Sequence, residues 1–228
     1  MIWHEIVNDT VGGVPISVTF CPLCNTAVVY DRRLDGKVLD FGTTGKLRNS
    51  DLVMYDRQTE SWWQQSLGKS IIGEMTRKPL KTVSARLESW ANFRKRAPEG
   101  LVKVPNNSSM RAYGANPYAG YDSLPKPFLY SGKMPKNVRP LSRMASLEDQ
   151  NNGWRLDLLK AKKEILLDEG LVLRWEPGQN SALDKSKIAD GTDVGNVMAQ
   201  RDGKDVPYFV DFAFAFHPFF PEATIHAK

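Results

Sequence analysis

Both cysteines of this 228-residue chain lie in one stretch, Val18-Thr19-Phe20-Cys21-Pro22-Leu23-Cys24-Asn25-Thr26-Ala27-Val28-Val29-Tyr30. A Cys-x-x-Cys spacing lets two sulfurs face one point, as a disulfide or as two ligands of one metal ion. His4 is the candidate third ligand, leaving a position for water, substrate or a further group such as His217, His226 or Met54. Two thiolates with one imidazole suit copper(I) or zinc. No second Cys-x-x-Cys exists, which excludes a closed four-sulfur zinc site. A second reading is thiol–disulfide redox, with Cys21 and Cys24 as the catalytic residues. The residues after Cys24 look like strand, so the helix N-terminus that stabilises a thioredoxin-type thiolate is missing. The third reading is a structural disulfide or two buried thiols, in which the pair serves only the fold.

A second constellation is Met54-Tyr55-Asp56-Arg57-Gln58-Thr59-Glu60-Ser61-Trp62-Trp63-Gln64-Gln65. Asp56, Arg57 and Thr59 suit a turn in which a carboxylate caps backbone amides. A β-hairpin corner with a core tryptophan explains the pattern. The competing reading makes Asp56, Arg57, Trp63, Gln64 and Tyr118 the walls of a site for a glycan or peptide, with the cysteines a structural disulfide. No Ser-His-Asp pattern, phosphate loop or dinucleotide fingerprint is present, so no nucleotide cofactor is expected.

Elements to position these residues follow from composition and punctuation. With 41% apolar and 25% charged residues the chain is an ordinary globular sequence. No stretch is long and apolar enough to span a membrane. The net charge of +5 comes from 31 basic and 26 acidic residues, scattered apart from Arg94-Lys95-Arg96 and Lys160 to Lys163. That pattern describes a solvated surface and argues against nucleic acid as a partner. Residues 14 to 20 and 25 to 30 read as strands, Asp35-Gly36 as a hairpin turn, and Leu52–Tyr55, Ser61–Gln64 and Lys69–Ile72 as further short strands. Ser89 to Arg96 reads as a short helix. Residues 106 to 145 are rich in Pro, Asn, Ser and Gly yet carry Tyr113, Tyr118, Tyr121, Phe128 and Tyr130, which suits an ordered segment wrapping the surface. Trp154 to Leu167 has helical spacing, with Gly170 placed to end it. Leu171–Trp175 is again a strand, and Phe209–Phe216 an apolar run.

An internal repeat organises the whole. Glu5-Ile6-Val7-Asn8-Asp9 resembles Glu164-Ile165-Leu166-Leu167-Asp168, and Phe20-Cys21-Pro22-Leu23-Cys24-Asn25-Thr26-Ala27 matches Trp175-Glu176-Pro177-Gly178-Gln179-Asn180-Ser181-Ala182 position by position. Phe93 with Pro98-Glu99 likewise matches Phe216 with Pro221-Glu222. The shared aromatic, Pro, Asn, hydroxyl and Ala suit a tight turn. His4, Cys21 and Cys24 face Lys163, Glu176 and Gln179, so the chemistry is confined to the first copy. The expected fold is therefore mainly β (β-rich α+β), with two diverged repeats of short antiparallel strands, the second abbreviated. An extended aromatic and Pro-rich segment and one helix join them. The expected divisions are 1–105, a β-rich repeat with the Cys-x-x-Cys site; 106–150, the wrapping segment; and 151–228, the helix and second repeat.

Trp3-His4-Glu5-Ile6-Val7-Asn8-Asp9, Cys21-Pro22-Leu23-Cys24, Phe41-Gly42 with Gly45, Met54-Tyr55-Asp56-Arg57 with Thr59 and Trp63, Asn116-Pro117-Tyr118, and Trp175-Glu176-Pro177-Gly178 with Ser181-Ala182-Leu183-Asp184 together resemble domain-of-unknown-function family 3179, found in bacteria and archaea. The resemblance spans nearly the whole chain. It implies an upstream export or lipoprotein signal, hence an extracytoplasmic setting, a truncated N-terminus and a shortened C-terminal end here. It supplies no reaction. The functional expectation is a Cys21/Cys24/His4 site for copper or zinc, or a redox dithiol, acting on an unknown small ligand or exported partner.

Overall fold

In chain order the first half of the protein forms strands β1 (Ile6–Val11), β2 (Val14–Cys21), β3 (Thr26–Asp31), β4 (Arg33–Leu34), β5 (Lys37–Val38), β6 (Phe41–Arg48), β7 (Asp51–Asp56), β8 (Trp62–Gln64), β9 (Lys69–Ile72) and β10 (Lys81–Thr82), then helix α1 (Trp90–Arg96). The second half forms β11 (Arg143–Leu147), β12 (Asn152–Arg155), α2 (Leu156–Lys162), β13 (Glu164–Leu166), β14 (Leu171–Glu176), β15 (Asn196–Arg201), β16 (Lys204–Asp205), β17 (Tyr208–Phe212), α3 (Ala213–Phe216) and β18 (Thr224–His226). These coordinates are a computed structural model describing residues 1–148 and 151–227.

Local chemistry sets the hairpins. Gly12-Gly13, Asp35-Gly36, Asn49-Ser50 and Asp202-Gly203 each have positive φ at both turn positions. That backbone matches the twist of the strands on either side of a two-residue loop, which is why Gly, Asn and Asp dominate it. The turns fix the registers Val11↔Val14, Leu34↔Lys37, Arg48↔Asp51 and Arg201↔Lys204. The resulting sheets run β1-β2-β3-β10, β6-β7-β8-β9, β4-β5, β13-β14-β15-β16 and β17-β11-β12-β18. All pairs are antiparallel except β12 with β18. Among the described residues no helix is long and apolar enough to cross a membrane.

Among the described residues two large apolar cores result, with a smaller third around Met144, Ala213 and Phe216. The first gathers Cys21, Cys24, Tyr30, Phe41, Met54 and Trp63 with Tyr121 from the extended segment and Phe209, Phe212 and Phe214 from the C-terminal region. The second is built on Trp154, Leu159, Leu173, Trp175 and Val197. Strand β7 is an inner strand of its sheet, and its Leu52-Val53-Met54 run is buried throughout, as a strand covered on both faces requires.

The two repeats are β1-β2-β3 and β13-β14-β15, each an antiparallel meander. Their register corrects the sequence match by one residue. Phe20 N–H donates to Glu5 C=O (2.7 Å) and Trp175 N–H to Lys163 C=O (2.8 Å), and Glu5 and Lys163 are both left-handed at φ 57° and 65°. Lys163 is therefore the counterpart of Glu5, and His4 corresponds to Lys162. The expected helix over 154–167 is also corrected. Trp154 lies in β12, opposite Ala145, and Ile165 lies in β13, opposite Leu173. Strand pairing on both sides thus overrides helical spacing, and α2 keeps only the middle seven residues before Lys163 turns left-handed. The segment from Pro98 to Ser142 contains no strand; its 3₁₀ turn Tyr121–Ser123 sets Tyr121 into the first core.

Candidate functional site

The tip of the β6–β7 hairpin carries the Ser50 carbonyl and Asp51 to the Cys21–Cys24 turn. Ser50 is held in its left-handed conformation (φ 65°), and its Oγ lies 3.0 and 2.9 Å from the Phe128 and Leu129 carbonyls of the extended segment. The turn itself closes with Asn25 N–H donating to Pro22 C=O (3.3 Å), with Asn25 left-handed at φ 58°. Both thiols then point at one acceptor: Cys24 Sγ is 3.2 Å and Cys21 Sγ 3.7 Å from the Ser50 carbonyl oxygen. The two sulfurs and an Asp51 carboxylate oxygen lie within 4.8 Å of one another, and all three residues are buried.

Asp51 is oriented from behind. Its Oδ2 accepts from Gln64 Nε2 and from Ser66 N–H (3.0 Å), while Arg48 donates to Gln64 Oε1 (3.2 Å) and so fixes which end of the amide faces the carboxylate. Asp51 Oδ1 has no hydrogen-bond partner among the described residues, and neither does Ser66 Oγ. A cavity of about 10 Å³ adjoins them, lined by Cys24, Thr26, Asp51, Ser66, Asp211 and the rings of Phe216, Phe219 and Phe220. Across it, Thr26 Oγ1 donates to Asp211, the acid in the middle of β17.

The electrostatics of this cluster are one-sided. Burial, the neighbouring Cys21 and the charges of Asp51 and Asp211 push the Cys24 thiol well above the ordinary cysteine range. Burial raises the Asp51 carboxyl, partly offset by the Ser66 amide and Gln64. Burial also raises the Asp211 carboxyl to about 7, with Thr26 opposing and Asp51 adding to the rise. Among the described residues neither Asp51 nor Asp211 forms an ion pair. Cys24, Asp51 and Asp211, buried together without an ion-pair partner among the described residues, are stable only when protonated or when a cation joins them.

The second repeat shows the other solution. Ser181, the counterpart of Thr26, donates to Asp122 (2.6 Å), as Thr26 does to Asp211. There the acid is neutralised in place: Arg143 Nη2 lies 3.0 Å from Asp122 and 2.7 Å from Ser181 Oγ, with Arg143 and Asp122 side chains both nearly buried. The copy without cysteines has a cation set beside it by β11. The copy with cysteines does not.

The structure brings together Cys21 and Cys24 but not His4. The His4 ring is exposed and lies against Tyr113, with Nε2 2.6 Å from the Tyr113 hydroxyl; Asp51 takes the third place instead. His226 is bound to Asn152 and stacked on Trp154. Asp56, Trp63 and Gln64 are interior residues rather than pocket walls. Trp63 is fully buried, its Nε1 donates to Asp56 Oδ2 (2.9 Å), and Asp56 Oδ1 caps Thr59 N–H (2.6 Å). Arg57 is exposed, with its guanidinium over the Tyr55 ring, and Tyr118 is half-buried, with its amide bound to Asn116 Oδ1. The hairpin-corner reading therefore describes this constellation. Sequence reasoning missed Asp51, Ser66 and Asp211. Their signals are slight: Asp51 follows a two-residue turn and opens an apolar strand, and Asp211 is the lone charge in the apolar run 208–216.

Neither the curated proteins nor the solved structures contain a match to this chain. A family model does match, over residues 1–223. The same residues that carry the cysteine turn, the Asp56–Trp63 corner and the second copy of the repeat lie within it, and the chain belongs to the family described as protein of unknown function (DUF3179).

Proposed function

We propose that Cys21, Cys24 and Asp51 bind one soft or borderline metal ion, with zinc favoured over copper(I). The observation that carries this reading is the uncompensated acid cluster, set against the second copy, where Arg143 of β11 supplies the positive charge from outside. Zinc accepts thiolate and carboxylate ligands together, whereas copper(I) is selected by soft sulfur ligands. The redox reading is weaker, because a nucleophilic thiolate needs exposure and a lowered pKa. Cys24 is fully buried and its thiol is pushed upward. The expected extracytoplasmic setting belongs to the same proposal. A bound ion there would keep two adjacent thiols from closing into a disulfide.

Elemental analysis of untagged protein purified without chelator tests the reading. About one ion per chain is expected, with both thiols becoming titratable only after the ion is removed. Protein that holds no metal, takes up neither zinc nor copper and carries an inert disulfide or two inert thiols would sink it.

A further inference from the structure

We propose that this metal centre is open rather than closed: its remaining coordination position faces the cavity beside Cys24 and takes an exchangeable ligand with a single heavy atom. Water and hydroxide are the resting occupants, and hydrosulfide, somewhat larger but still a single heavy atom, is the foreign ligand proposed. The inference rests on the metal reading above and goes on to say what else the ion would bind.

Four features carry it. First, Cys24 and Asp51 line the cavity but Cys21 does not, so an ion held by all three has the cavity on one side. Second, Asp51 Oδ1 and Ser66 Oγ are buried polar atoms without partners at this cavity. With Cys24 on the ion as a thiolate it has no proton to offer this cavity, and Asp51 Oδ2 is already occupied by Gln64 and Ser66 N–H. A buried water needs two to four polar partners, and Asp51, Ser66, Thr26 and Asp211 are enough. Third, the volume of about 10 Å³ corresponds to about one water-sized sphere, room for a single heavy atom and not for a row of three. Fourth, the far wall is aromatic: Phe216, Phe219 and Phe220 close it, and the Arg48 guanidinium lies over the Phe219 ring at 5.4 Å. Three protein ligands plus one exchangeable position is the arrangement of metal sites that interact with small molecules, while structural sites fill all four places with protein. The aromatic wall limits what can enter. Azide, with three heavy atoms in a row, has no room unless that wall is cut back.

Cobalt(II) placed in the site reports its own coordination through its visible bands. With the reduced protein loaded with one cobalt per chain, sodium hydrosulfide should shift those bands saturably, while azide should leave them unchanged. In Phe219→Ala, whose side chain is only half-buried and whose loss shortens the wall, azide should shift them too. Bands unmoved by hydrosulfide in both proteins, with cobalt still bound, would mean a fourth protein ligand and overturn the open site while leaving the metal reading intact. A shift by azide in the unaltered protein equal to that by hydrosulfide would overturn the size limit. Failure to take up cobalt at all, together with no zinc or copper, would remove both readings at once.

Discussion

Substituting Asp211 isolates the cost of the uncompensated acids in the metal-free protein. A carboxyl raised to about 7 in the fold, from 3.8 in the unfolded chain, binds more protons folded than unfolded throughout that window. Stability is therefore greatest below the unfolded value and falls as pH rises through the folded one. Between pH 5 and pH 8 the loss from this one group comes to roughly 2.5 kcal/mol, from 1.36 kcal/mol per pH unit over the part of the window that lies above pH 5. The carboxyls held low by partners, such as Asp31 beside Arg33 and Asp184 beside Thr192, act in the opposite sense, but below the ordinary carboxylate range. They leave the pH 5–8 interval clear. Asp211→Asn keeps an acceptor for Thr26 and removes the titration. Urea unfolding of chelator-treated, reduced protein at pH 5, 6, 7 and 8 measures the slope directly. The native protein should lose stability across the series and the variant should lose roughly 2.5 kcal/mol less. Equal slopes would refute the claim that Asp211 is a buried acid without a counter-charge. Excess zinc should reverse the native slope, because ligand deprotonation makes binding tighter as pH rises.

Asp51→Asn should weaken zinc binding by about 100-fold or more in a chelator competition, since it removes a ligand charge, while Arg48→Met should cost about 10–100-fold by releasing Gln64 and with it the Asp51 carboxylate. Arg143→Met, beside the second copy, leaves Asp122 buried without a counter-charge and should destabilise the fold by about 3–5 kcal/mol in urea, with no change in metal stoichiometry. Trp63→Phe removes the indole donor to Asp56 from a fully buried position; a loss of about 2–4 kcal/mol is expected. A stability within about 0.5 kcal/mol of the native protein would show that the corner is not part of the core.

Much of the fold was legible because it is locally determined. Asp35-Gly36 sits where it must, the short strands from Leu52 to Ile72 follow the apolar runs, and Ser89 caps α1 through Asn92 N–H. The meander repeat was legible from Phe20 to Ala27 against Trp175 to Ala182, where no gap intervenes. It slipped by one residue at Glu5, where loops of different length separate the paired strands. The helix over 154–167 failed for a different reason. Apolar spacing there fits either structure, and pairing with β11 and β14, both distant from the local window, chose strand for its two ends.

The sequence by itself determined that the sulfurs of Cys21 and Cys24 converge, because two cysteines three positions apart on a proline turn face one point whatever surrounds them. It also determined that the first copy of the repeat differs from the second; in the structure the first carries an acid cluster without an ion pair, and the second has the Arg143–Asp122 pair beside it. Only the tertiary structure chose the third group. His4 is 17 residues from Cys21 in the chain and Asp51 is 27 residues from Cys24, so neither distance discriminates. The Asn49-Ser50 turn, clamped by the Phe128 and Leu129 carbonyls, swings Asp51 inward, while Tyr113 holds the His4 ring at the surface. Asp211 arrives from β17, nearly the whole chain away. Sheet pairing and core packing carry that placement, and those are long-range energies that no short stretch of sequence contains.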